Sequence, residues 1–221
     1  MMTFESSKTL GIVGAVLLLI GTIPFAAYIG IIAFVGFILL LVALHGLANY
    51  YKETGIFNNA LYGFIAGIVG VVATVAAALY VIFDTSILTN FLYKIYPSWN
   101  GKWSSLAGLT ANTSNITVSD VTPVLGAMFA VLAILWIFHI ISAFFNRRSL
   151  KMLSTKSSAG LFSTAGLLLL IGAILAIAFG IGLILMWIAI LLIAIAFFQM
   201  KPQPEQPAAP AAPPQQTPTS A

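Results

Sequence analysis

LGIVGAVLLLIGTIPFAAYIGIIAFVGFILLLVALHGL, residues 10–47, decides how this chain is read. The run is apolar, interrupted by small residues, by Pro24 and, near its end, by His45. A helix needs about 20 apolar residues to cross a bilayer, and this run is about twice that length. Proline disfavours helix at the residue before it, so the run reads as two membrane helices hinged near Pro24. Residues 160–198 repeat the pattern, with a break at Gly180-Ile181-Gly182. Both runs read as helical hairpins in a membrane.

The composition agrees. Of 221 residues, 61% are hydrophobic and 6% charged, against about 45–50% and 25% in soluble domains. Nine basic and five acidic side chains give a net charge of +4. The basic residues form no stripe with interleaved aromatics, so they speak for loop orientation and against nucleic acid as a partner. With no cysteine, disulfides, thiolate catalysis and Cys-based metal sites are excluded. No small-residue cleavage site follows the first apolar run, which is therefore expected to be a retained anchor.

Working outward, the fold class is all-α, a polytopic bundle of six transmembrane helices. They are expected at about 8–23, 29–48, 59–83, 123–145, 158–179 and 183–199. Ser6 and Ser7 are candidate N-caps for the first, and Thr122-Pro123 is a good start for the fourth. Residues 84–122 form an outer loop. Its first part, Ile87, Leu88, Phe91, Leu92 and Ile95, has helical spacing. It fits either a helix on the membrane surface or a loop packed on the bundle. Gly, Ser, Thr and Asn then dominate, with a brief extended piece at 116–118. From residue 201 the chain becomes Pro-, Ala- and Gln-rich, and residues 201–221 are expected to be a disordered, solubilising tail.

Gly63, Gly67, Gly70 and Thr74 lie at helical spacing on one face of the third helix. Gly172, Ala176 and Gly180 do the same near the C-terminal end. Small residues on one face let helices approach closely in lipid, so both sets are candidate packing faces. Gly67 lies mid-face, so Gly67→Leu is expected to destabilise the fold or an oligomer more than a generic glycine substitution does. With the N-terminus inside, Lys8, Lys52, Arg147, Arg148, Lys151, Lys156 and Lys201 lie on the cytoplasmic side. Lys94 and Lys102 alone lie outside, a strong positive-inside bias. This orientation also puts the sequons Asn112-Thr113-Ser114 and Asn115-Ile116-Thr117 outside, where N-glycosylation would occur.

Residues 14–23, GAVLLLIGTI, match residues 165–174, AGLLLLIGAI, nearly position for position. Leucine-rich helices look alike, so a true internal repeat and coincidence both stay open. FESSKTLG at 4–11, LHGLANYYKETGIFNNALYGFIAG at 44–67 and the glycine-containing end helices resemble an uncharacterised family of archaeal multi-pass membrane proteins, a domain of unknown function. The resemblance covers about residues 3–200. It implies a polytopic archaeal plasma-membrane protein and no activity.

Sites for chemistry are scarce. His45 and His139 are weak functional candidates. Read at the cytoplasmic ends of the second and fourth helices, they would share a depth and could pair. Two histidines make no normal metal site without a further ligand, and each also fits an interfacial histidine bonded to a carbonyl or water. No catalytic residue, cofactor site or metal site is read. Ser-His-Asp order, paired carboxylates and H-E-x-x-H are all missing. The expectation is a non-enzymatic assembly or scaffold component of the plasma membrane, with both termini cytoplasmic. Its partners are the lipid bilayer and copies of itself or other membrane proteins. The alternative is a small-solute transporter or channel.

Overall fold

The computed structural model describes residues 2–22, 29–83, 86–177 and 180–202. Among them every regular element is helical, with no strand. Six long helices are α1 (Phe4–Gly21), α2 (Ile29–Tyr50), α3 (Thr54–Phe83), α5 (Val118–Ser157), α6 (Leu161–Leu175) and α7 (Ile181–Gln199). Between α3 and α5 come α4 (Ser86–Ile95) and a 3-10 turn at Trp103–Gly108. By length and composition α1, α2, α3, α5 and α7 are each able to cross a membrane; α6, at 15 residues, is shorter. The Pro24 hinge, Asp84 and nearly all of the tail fall outside the described residues.

The six long helices form a closed ring. α1 packs on α2, α2 on α3, α3 on α5, α5 on α6 and α6 on α7, and α7 returns to α1. Among the described residues, no other pair of these helices brings its backbones close together. Glycine explains the tightest crossings, because backbones approach where no Cβ intervenes. A Cβ on Gly14 would lie 2.8 Å from the Gly36 carbonyl oxygen, and one on Gly172 would lie 2.8 Å from that of Gly182. Gly21 and Gly172 correspond in the sequence match, offset by 151. Gly21 meets Ala33; shifted by 151 this is residue 184, midway between Gly182 and Met186, which Gly172 meets. The two end hairpins therefore cross at equivalent places.

The buried core gathers at the end holding the N-terminus, the α2–α3 and α5–α6 turns, and Met200. Phe162 and Phe197, both fully buried, meet edge to face at 5.0 Å. Lys8 Nζ donates to the Met200 carbonyl at 2.8 Å, tying α1 to the end of α7. Tyr51 is 7% exposed, and among the described residues its hydroxyl has no hydrogen-bond partner. Burial, helped by neighbouring Tyr50, pushes its pKa up to about 12.

Several boundaries differ from the sequence expectation. α1 starts at Phe4, with Thr3 rather than Ser6 or Ser7 as cap: Thr3 Oγ1 accepts from the Ser6 amide at 3.2 Å. α3 starts at Thr54 instead of residue 59. Its Gly and Asn residues read as loop, yet Ile56 and Ala60 are buried and Asn59 Nδ2 donates to the Gly55 carbonyl at 2.7 Å. α5 starts at Val118, five residues before Pro123, because the Asp120 carboxylate accepts from the Thr117 amide at 3.0 Å and its hydroxyl at 2.7 Å. Of the extended piece expected at 116–118, Val118 is the first residue of α5, while Thr117 keeps an extended backbone as its cap.

The largest difference is the far end of α5. The basic segment 146–157, expected as a loop, continues the helix to Ser157. Arg and Lys are good helix formers, Leu150 and Leu153 are buried one turn apart, and Lys156 pairs with Glu53 at 3.2 Å.

In the segment between α3 and α5, α4 is a true helix that touches both of them. Lys94 donates to Asp120, joining α4 to the first turn of α5. That bond, with those from Thr117, holds the Asp120 carboxyl down to about 2. Trp99 packs between Tyr93 at 4.9 Å and Trp103 at 5.7 Å.

Candidate functional site: the cavity around His139

α5 turns one polar stripe towards its neighbours: Trp136, His139, Ser142, Asn146 and Ser149, at spacings of 3, 3, 4 and 3. That is one face of a helix. Trp136 Nε1 donates to the Ala173 carbonyl on α6 at 3.0 Å. Ser142 Oγ donates to the Gly63 carbonyl on α3 at 2.7 Å, and Ser149 Oγ to that of Ile56 at 2.6 Å. Asn146 Nδ2 reaches Ser142 Oγ at 3.4 Å. His139 Nε2 lies 3.3 Å from the Met186 sulfur on α7. The stripe thus fastens α5 to three helices.

Three cavities converge on His139. One of about 620 Å3 lies among α2, α3 and α5. A second, of about 260 Å3, sits inside the ring and is walled from α1, α2, α5, α6 and α7. The third, about 400 Å3, separates α5 from α7 above Trp136. His139 lines all three, and Ser142 the first two. The remaining walls are chiefly Leu, Ile, Phe, Val, Met and Gly. Such a space suits an apolar molecule held by one or two hydrogen bonds.

The histidines do not meet. His45 contacts Asn49 at 3.2 Å and stands edge-on to Phe57 at 4.7 Å, beside the first turn of α3. Ser149 bonds to Ile56 at the same level. His139 lies ten residues along α5 from Ser149, a rise of about 15 Å. The shared depth expected from sequence assumed that α5 ends near residue 145; its real end, at Ser157, puts His139 in the bundle interior. Among the described residues no three His, Cys, Asp or Glu side chains gather as metal ligands.

The small-residue faces sort unevenly. A Cβ on Gly63 would lie 2.9 Å from Asn146 Nδ2, and one on Gly70 2.5 Å from Phe138 Cβ. On Gly67 it would meet only Ser142 Oγ, at 3.6 Å. Gly67, expected to be a packing contact, instead faces the 620 Å3 cavity. Thr74 spends its hydroxyl on the Gly70 carbonyl of its own helix, at 2.7 Å. Gly172 and Ala176 face Gly182 across the second hairpin. Gly180 serves the turn: its φ is +76° and a Cβ there would meet nothing within 4 Å. Gly14, Gly36 and Gly182 carry contacts that spacing rules missed. Asn112 and Asn115 are both exposed, and Asn112 Oδ1 accepts from the Ser114 amide at 3.1 Å.

Residues 32–191 match the family model described as a protein of unknown function, DUF996. The chain belongs to this family. A relative, an uncharacterised protein of Methanocaldococcus jannaschii, is 30% identical over 200 residues, covering 90% of this chain and 94% of its own length. The DUF996 match takes in most of the residues around the cavities, His139 among them, but not Leu18, Gly30 or Ile193. No solved structure matches the chain.

Proposed function

We propose that this DUF996 protein is a non-enzymatic, multi-pass protein of the plasma membrane that holds a small molecule inside its helical ring, as a small-solute carrier would. The observation that carries this reading is His139, set within an apolar interior where three cavities join. A polar, ionisable side chain inside a membrane helix is costly, which makes it a functional-site hypothesis by default. Assembly through small-residue faces draws less support. Gly63 and Gly70 on α3 are spent on α5, and Gly172 on α7, within the chain. Both termini are placed in the cytoplasm, supported by the seven-to-two basic bias and by the adjacency of the chain ends at Lys8 and Met200.

Native mass spectrometry of protein released from its own membranes tests the reading. The wild type is expected to carry a small-molecule adduct. Gly67→Phe, whose side chain would grow from an open position into the cavity, is expected to lose it. An unadorned wild type would refute the proposal, as would equal adducts in both proteins.

A further inference from the structure

The 620 Å3 cavity has a side opening. Of all the seams in the ring, α2–α3 has the slightest contact. The 620 Å3 space reaches the surface there, lined by Phe34, Ile68, Val71 and Val72. These are 54, 43, 55 and 62% exposed. Within a bilayer such a surface faces hydrocarbon rather than water. Entry is therefore restricted to what dissolves in hydrocarbon.

The inner end of the cavity is polar. Among the described residues, the only hydrogen-bond neighbour of His139 is the Met186 sulfur, a weak acceptor. Ser142 donates to Gly63, and its oxygen can still accept a bond. Among the described residues no Lys, Arg, Asp or Glu lines the space. An ionised head would lie in low dielectric without a counter-charge, at high cost. A volume of 620 Å3 falls in the range of sites for one drug-sized ligand, which leaves room for one chain and not for a two-chain phospholipid.

We infer that the site takes a single-chain, uncharged amphiphile laterally from the membrane through the α2–α3 seam. Its hydroxyl or carbonyl head reaches His139 and Ser142, and its tail lies between α2 and α3. This rests on the cavity reading above and names its ligand class. The Phe37 and Phe64 rings, stacked at 5.2 Å, flank the tail's path.

The test uses the full chain in nanodiscs with a diazirine-bearing hexadecanol as photoprobe, and labelled peptides are mapped by mass spectrometry. Labelling is expected within 30–37 and 64–72, competed by unlabelled hexadecanol but not by hexadecane or ionised palmitate. His139→Leu should weaken competition about fivefold, the loss of one neutral hydrogen bond. Gly67→Phe, checked for a parental melting temperature, should abolish labelling of these segments. Equal competition by hexadecane removes the head-group contact and overturns the inference, as does labelling that survives Gly67→Phe. Failure of the probe to label these segments, with a native adduct still present, overturns the amphiphile but leaves the cavity as a solute site. Absence of both overturns the two readings together.

Discussion

Gly67 and Gly70 share one helix face three residues apart, yet substitution by alanine should move stability in opposite directions. Alanine replaces glycine inside a helix with a gain of about 0.5–1 kcal/mol, by reducing the freedom of the unfolded chain. At Gly67 the new methyl would sit 3.6 Å from Ser142 Oγ, an ordinary contact, so the full gain is expected. At Gly70 it would sit 2.5 Å from Phe138 Cβ and 3.1 Å from Cγ, well inside the optimal carbon separation of about 3.5–4.0 Å. Overpacking of this kind costs about 1–3 kcal/mol, giving a net loss of up to about 2.5 kcal/mol after the propensity gain. Reversible unfolding in SDS–lipid mixtures, or thermal melting in nanodiscs, reads the difference. Gly67→Ala should lie above the parent and Gly70→Ala below it. Equal losses at both positions would refute the assignment of Gly67 to a cavity and Gly70 to the α3–α5 contact.

Tyr51→Phe should stabilise the protein by about 1 kcal/mol, because it removes a buried hydroxyl that has no hydrogen-bond partner among the described residues, measured in the same unfolding assay. The Asp120 carboxyl is held low, at about 2 instead of 3.8. Its contribution to stability is therefore present above pH 4 or so and fades as pH falls towards 2. Fluorescence of the Trp99–Trp103 cluster should shift over that interval, and in Asp120→Asn the shift should be absent, with faster amide exchange across 86–95 at neutral pH. If the host glycosylates its surface proteins, intact-mass measurement of native material should find glycan on Asn112 or Asn115; bare asparagine at both would count against an outer location. Cysteines introduced at Ser114 and Ser220 should be labelled by an impermeant reagent on intact cells only at Ser114.

What the sequence showed plainly was hydrophobic periodicity over long distances. The helices, the two end hairpins and the small faces at Gly63, Gly70 and Gly172 follow from it, since lipid demands satisfied backbones and glycine permits close crossing. Polar composition misled at the helix ends. Residues 54–58 and the Arg147–Lys156 segment read as loops, but burial of Ile56, Leu150 and Leu153 recruits them into helices. That error carried into the site, for it drew His139 to the membrane surface beside His45. The α5 polar stripe was visible as spacing from Trp136 to Ser149, yet its partners lie on α3, α6 and α7, and no local pattern announces a contact across a ring. Gly67 shows the same limit: spacing finds a face, while the neighbouring helix decides which residue of that face is covered.

The central claim is that His139 lies in the bundle interior, well away from the level of His45. Site-directed spin labelling tests it most directly. Nitroxides placed singly at positions 45 and 139 in the full chain in lipid vesicles report depth through their relative exposure to oxygen and to a water-soluble nickel chelate. The structure predicts that the label at 139 lies about 15 Å deeper than the label at 45. Equal depths at the two positions would contradict it.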